Sequence, residues 1–344
     1  MEKLLESDAP LFGRLRGKLY VRPLPFTDIE PFAPRYTLEK RLAVWGIVGG
    51  IPDYLRVWDD GEDLIRNIHE IFVSEDSPFR NERNVLVGDV LRRDSPDYES
   101  VLDAVGSGHH DAESIALAAG LNSQRSAQVL DKLQDVRLVE RRIRASVPLA
   151  QQKIARHGHY HLLDPFLRFY YRFIQPERTR IAQGLFTSVE RAFREQMRSF
   201  IGTTFEDLAR AWTLVQARND GLPFAPEFIS SDWGPQHQAD VVAVNWREHQ
   251  VLIGEAKWHT DDFNLAEWRK LVEQADHVVR RLQEVSPDRR PGRPAPEWTR
   301  HLALFTRRGI TPSVREATRK DGGQIVLFEK MAQDLAALPE WPLR

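Results

Sequence analysis

The 344-residue sequence contains no cysteine. Disulfides, thiol nucleophiles and thiolate metal ligands are therefore excluded together, and the usage agrees with a reducing compartment. Long apolar runs are also missing: nothing approaches the ~18 residues of a membrane span. The first residues, MEKLLESDAPLFGRLRGK, lack the basic-then-apolar order of a secretion signal. A cytoplasmic protein without a membrane partner is expected. Neither sign of charge dominates, since 48 Lys and Arg against 50 Asp and Glu leave a formal net charge of -2. Any attraction to nucleic acid must then be local. There is no G-x-S-x-G elbow, no H-E-x-x-H and no dinucleotide glycine fingerprint. The stretch GRLRGKL spaces Gly13 and Gly17 too closely for a phosphate loop, lacks Ser or Thr after Lys18, and leads into a strand-like segment. No ATP is expected to be bound or hydrolysed by this chain alone.

What is present exceeds one ordinary core and divides into modules of α/β character. Residues 1–94 are mostly helical in pattern, with apolar residues at helical spacing in TLEKRLAVWGIVGGIPDYLRVW, EDLIRNIHEIFVSE and NERNVLVGDVLRR and no sheet of their own. Residues 95–165 contain three short helical patterns followed by the strand patterns LVERRI and HYHLL, the order of a winged helix-turn-helix. Asn122 or Ser123 is placed to cap the third helix and Gly120 to close the second. Gln124, Arg125, Gln128 and Lys132 on that third helix, with Arg141 and Arg142 on the first strand, are the candidate nucleic-acid contacts. The same residue types also make an ordinary solvated face.

Between Arg137 and Arg180 ten Arg or Lys face three Asp or Glu, and the stretch holds the aromatic run FLRFYYRF. Cations interleaved with rings suit nucleic acid, but a linker helix over 166–186 that packs its rings inward is the better reading. His157, His159 and His161 alternate along one strand face, a spacing open to zinc, yet with no further ligand nearby they read as exposed strand histidines. His109 and His110 fall in a turn and are expected to be solvated.

The span 187–344 begins with a long helical pattern and continues through strand patterns FAPEFIS, ADVVAVN and VLIGEAKW, a helix NLAEWRKLVEQADHVVRRLQEV, and strand patterns HLALFT and QIVLFE. A mixed sheet with helices on its faces follows. Asp240 opens one strand and Glu255 closes the next across the short link NWREHQ, so a hairpin brings the two carboxylates together. Such a pair holds a hard cation, Mg²⁺ or Mn²⁺, with the carbonyl of Ala256 as a further oxygen ligand. Lys257, two residues from Glu255, shares its strand face and is placed to orient a water or neutralise a scissile phosphate. Glu206 on the preceding helix is a candidate additional ligand, and Gln274 a candidate contact to a bound strand. The plain alternative is a strand-end ion pair between Glu255 and Lys257.

Glu206, Asp240 and Glu255-x-Lys257 in this order of elements resemble the PD-(D/E)XK nuclease superfamily. PLFGRLRGKLYVRPLPFTDIEPF, GGIPDYL, HYHLLDPFLRFYYRFI, FIGTTFEDLAR and ADVVAVNWREHQVLIGEAKW together look like the C-terminal two-thirds of archaeal-type AAA ATPases that end in a nuclease-like domain of unknown function. The resemblance implies an ATPase lid remnant over 1–94, a winged helix over 95–165 and a nuclease-like domain over 187–344, with the nucleotide-binding core missing before Pro10. Gln238 departs from the pattern, because relatives often carry an acidic residue there. The expected function is a DNA-binding, Mg²⁺-dependent hydrolase of phosphodiester bonds, an endo- or exodeoxyribonuclease. The alternative is an inactive DNA- or protein-binding adaptor serving a separately encoded ATPase or a second copy of itself.

Overall fold

The computed structural model describes residues 21–77, 79, 96–154, 158–290 and 292–338. The glycines of GRLRGKL, the pattern NERNVLVGDVLRR and His157 lie outside the described residues. Thr37 accepts the Lys40 N–H and starts helix α1, Leu38–Val48. Gly49, at φ +72°, ends it, a conformation open to glycine without strain. The sequence pattern that ran unbroken to Trp58 is therefore split, and α2, Pro52–Arg56, restarts behind a proline at its first position. Helix α3, Leu64–Ile68, is capped by Asp63 and runs on as a π-helical turn, His69–Val73.

Asp111 and Asn122 cap two members of the next group, α4 (Pro96–Gly106), α5 (Ala112–Ala118) and α6 (Ser123–Asp135). Gly120 makes the left-handed turn between α5 and α6 at φ +68°. Strands β1, Val139–Ile143, and β2, Gly158–Leu162, then pair antiparallel, Val139 opposite Leu162. The run FLRFYYRF forms α7, Pro165–Phe169, and a second π-helical turn, Tyr170–Ile174, with Phe166, Phe169, Tyr171 and Phe173 all buried. The single linker helix expected over 166–186 is instead three pieces, the last being α8, Arg178–Ala182.

Helix α9, Phe186–Arg218, is about 50 Å long at ~1.5 Å per residue. Val189, Phe193, Met197, Phe200, Ile201, Thr204, Phe205, Leu208 and Trp212 mark one buried stripe at three- and four-residue steps. That stripe lies on a five-stranded sheet in the order β3 (Phe228–Gly234), β4 (His237–Asn245), β5 (Gln250–Lys257), β6 (Thr299–Thr306), β7 (Gln324–Leu327). The first three strands are antiparallel and the last three parallel. The α/β class with a mixed sheet is thus present. Val241, Ala243, Leu252, Ala303 and Phe305 face α9 and the closing helix α12, Phe328–Ala336. Val242, Val244, Val251, Ile253 and Leu304 face α10, Leu265–Val285, and α11, Pro312–Lys320.

Two further elements depart from the sequence reading. QIVLFE stops being a strand at Leu327, because Phe328, Met331, Ala332 and Leu335 repeat at helical spacing and bury that face. α11 was not anticipated, being short and largely polar. The N-terminal segment also shares its core with the rest: one cluster runs from Phe26 to Leu335. At Gly46 of α1 a Cβ would stand 2.6 Å from the Thr204 Oγ1 of α9, so only glycine permits this approach of the two helices.

Candidate active site

β4 and β5 pair with Val241 opposite Gly254, which leaves Asp240 and Glu255 next along the hairpin. On the other side of β4, Ser230 pairs with Val242 but Asp232 with Ala239, so three residues of β4 span two of β3. This β-bulge lies at Asp240–Val241 and re-aims the aspartate. Asp240 Oδ2 accepts the Ala256 N–H at 2.9 Å, fixing the carboxylate against β5. In a strand the N–H and C=O of one residue face the same neighbour, so the Ala256 carbonyl looks toward the same edge. Glu255 shares the α10 face with Val251 and Ile253, and its carboxylate pairs with Lys257 Nζ. The ion pair between Glu255 and Lys257 is therefore formed. Glu206 comes from α9, which lies on the opposite face of the sheet.

Asp240 and Glu255 are 7% and 9% exposed. Burial raises the pKa of Asp240. Burial and the nearby Asp240 charge push Glu206 up to about 8. Burial, then Asp240, push Glu255 up to about 7, with Lys257 and Lys270 opposing the shift. Burial works against the Lys257 ammonium, but Glu255 outweighs it and the net shift is upward. The three carboxyls thus favour a proton or a cation over unscreened negative charge. Among the described residues no group of three or more His, Asp or Glu has metal-holding geometry. Carboxylate and backbone oxygens are the donors this strand end offers.

Two neighbours escaped the sequence reading. Asp207, beside Glu206, accepts from Arg142 at 2.9 Å and Arg168 at 2.6 Å and pairs with Arg210. Burial opposes its charge, but the three guanidinium groups prevail and hold the carboxyl well below the usual carboxylate range. Arg210 also donates to the Asp240 carbonyl at 2.8 Å, tying this network to the bulge. The i,i+3 pair Asp207–Arg210 was the signal available. The second is Lys270 on α10, whose charge reaches Glu255. Gln274 sits one turn beyond Lys270, half-buried, with no hydrogen bond to Asp240, Glu255 or Lys257 among the described residues.

Other expected contacts fall elsewhere. Arg142 does not face solvent: its side chain is 13% exposed and joins Glu140 and, on α9, Asp207. Arg125 pairs with Asp97 at 2.6 Å, joining α6 to α4. Gln124 and Gln128 are exposed on α6, while Lys132 and Arg141 are half-buried. The charges of α6 balance, Arg125 and Lys132 against Asp131 and Asp135. His159 and His161 are not exposed, and His110 is not solvated: the His110 and His161 rings stack at 4.4 Å, and His159 stacks on Trp233 at 4.0 Å. Burial holds all three imidazoles neutral, with His159 drawn down to about 4.

These contacts arise because the β1–β2 hairpin docks on the edge strand β3. The Ala145 N–H donates to the Ser231 carbonyl at 3.0 Å, Ser230 Oγ donates to the Ile143 carbonyl at 2.7 Å, and the Ser146 N–H donates to Asp232 at 2.6 Å. Asp232 also meets His237 Nε2 at 2.7 Å. The docking covers an otherwise open sheet edge. It also encloses a cleft of about 360 Å³ between the hairpin and the sheet, with Glu206, Gln238 and Asp240 in its lining.

Residues 170–271 match a family described as archaeal and bacterial proteins of unknown function, DUF234. That span contains Glu206, Asp207, Arg210, Asp240, Glu255, Lys257 and Lys270. An uncharacterized protein of Methanocaldococcus jannaschii is 27% identical over 262 residues, which cover 75% of this chain and 56% of the relative. The chain spans little more than half the length of that protein. No solved structure matches. On these comparisons the chain is similar, over its site-bearing part, to a family whose function is unassigned.

Proposed function

We propose that the chain is a metal-dependent phosphodiester hydrolase acting on DNA, built on a PD-(D/E)XK-like sheet with a winged-helix-like unit docked on its edge. One observation carries this reading: Glu206, Asp240 and Glu255 are drawn from both faces of a sheet to one strand end, where burial leaves their negative charge short of a partner. Asp207 shows the opposite balance, one buried carboxylate held by three arginines.

In this reading Asp240 and Glu255 hold Mg²⁺ or Mn²⁺, with the Ala256 carbonyl beside them. The cation, when bound, supplies a water of lowered pKa and charge stabilisation for the phosphoryl transition state. Lys257 remains protonated through its pairing with Glu255, so it acts as a positive charge toward a phosphate oxygen and as a donor orienting the water, not as a base. Glu206, protonated near neutral pH without metal, holds or releases a proton beside Asp240. Arg210 keeps the bulge in place through the Asp240 carbonyl. A role with ATP or a separately encoded ATPase belongs to the resemblance.

The test is nicking of supercoiled, linear and branched DNA in Mg²⁺ and Mn²⁺. Wild type cuts, while Asp240→Ala and Lys257→Ala lose at least ~100-fold in rate, the scale of removing one electrostatic stabiliser, with a cooperative thermal melt retained. Intact DNA of every form with wild-type protein refutes hydrolysis. The adaptor reading draws on Arg142 and Arg125 being spent in ion pairs, and it requires DNA or protein binding that Asp240→Ala leaves unaltered.

A further inference from the structure

The cleft between the β1–β2 hairpin and the sheet has a chemistry that the hydrolytic site alone does not require. One wall is aromatic and uncharged, made of the stacked His110 and His161 rings and of His159 lying on Trp233 at an interplanar angle of 18°. Arg172, at the π-helical turn, also lines the cleft. Its Nε is buried without a hydrogen-bond partner, and its guanidinium lies 5.8 Å from the Phe173 ring centroid. The neighbouring guanidiniums of Arg142, Arg168 and Arg210 are by contrast committed to Asp207. Glu206 and Asp240 belong to the same lining.

A volume near 360 Å³ is within the ~300–1,000 Å³ of small-ligand sites. If isotropic, it is roughly 9 Å across, narrower than the ~12 Å major groove alone and so than a whole duplex. Neutral rings that stack a base, paired with a cation that meets the backbone, are the elements by which proteins hold unpaired strands. We infer that this cleft receives one unpaired nucleotide, its base against the imidazole wall and its phosphate toward Arg172. A strand would then reach Asp240 only where it is not base-paired. The inference rests on the hydrolase reading for the purpose of the cleft, but binding tests it separately.

Fluorescence anisotropy of the full chain in Ca²⁺, which takes the same oxygen ligands as Mg²⁺, compares a labelled single-stranded DNA oligonucleotide with its duplex. The single strand is expected to bind roughly tenfold more tightly, ~1.4 kcal/mol. Thr203→Trp fills the cleft from an exposed position of α9, and Arg172→Ala removes the cation. Each lowers single-strand affinity roughly tenfold and leaves duplex affinity alone, and Arg172→Lys recovers part of the loss. Equal affinity for the two DNA forms, or single-strand binding by a folded Thr203→Trp protein at the wild-type level, overturns the inference. If wild type never cuts DNA but Thr203→Trp still loses the single strand, the cleft stands and hydrolysis falls. If Asp240→Ala abolishes cutting while Thr203→Trp binds normally, the reverse holds.

Discussion

Glu206 gives the sharpest test of the charge imbalance at the strand end, because its consequence is readable without substrate. Its carboxyl is pushed from an ordinary 4.5 to about 8 by burial and by Asp240. The folded chain therefore holds a proton that the unfolded chain releases between those two values. Stability from this group is fully present below pH ~4.5 and is lost as pH rises through about 8. At ~1.4 kcal/mol per tenfold change in proton affinity, the full interval is an upper bound of roughly 5 kcal/mol. Screening by water reaching the cleft lowers it to roughly half on the effective dielectric of protein sites, about 2–3 kcal/mol. Only the part of that loss between pH 6 and about 8, roughly half, falls in the assayed window, so at ~2 °C per kcal/mol for a chain of this size the metal-free protein melts about 3 °C lower at pH 9 than at pH 6. Glu206→Gln is neutral throughout and removes most of that slope. Millimolar Mg²⁺ raises the wild-type melting point at pH 9 more than at pH 6, since it binds the ionised site. Calorimetry or dye-based melting in EDTA across pH 6–9 reads all three. A melting point that is flat or rises over this range, or a Glu206→Gln protein as pH-sensitive as wild type, refutes the account of the site as short of positive charge.

Asp207→Asn leaves Arg142, Arg168 and Arg210 facing one another around a buried neutral amide. Breaking such a network costs about 3–5 kcal/mol, and melting near neutral pH should fall accordingly; a loss below ~1 kcal/mol would show that solvent already screens the arginines. Asp232→Ala strands the Ser146 N–H and the His237 ring. It is expected to cost about 1–3 kcal/mol and to expose the chain between β1 and β2 to limited proteolysis, whereas an unchanged cleavage pattern would mean the hairpin is held without it.

Much of the sheet was legible because its signals are local. ADVVAVN and VLIGEAKW alternate or run apolar over strand lengths and are joined by a short link, so pairing Asp240 with Glu255 needs only hairpin register. The Asn122 cap, the Gly120 turn and the stripe of α9 follow equally from short-range rules. Arg142 shows the limit: RR in LVERRI reads as a basic surface, yet β1 meets α9, and the partner that buries it, Asp207, lies 65 residues away. The histidines fail for the same reason, since Trp233 and His110 come from other elements.

The residues themselves determined that two carboxylates and a lysine end adjacent strands, because side chains alternate with a period of two and a hairpin brings its strand ends together. Only the tertiary structure decided that a bulge turns Asp240 toward Ala256, that Glu206 arrives from the other face, and that the β1–β2 hairpin closes a cleft over them. Those outcomes depend on how distant surfaces fit and on which buried charges find partners, and neither is written in the spacing of neighbouring residues.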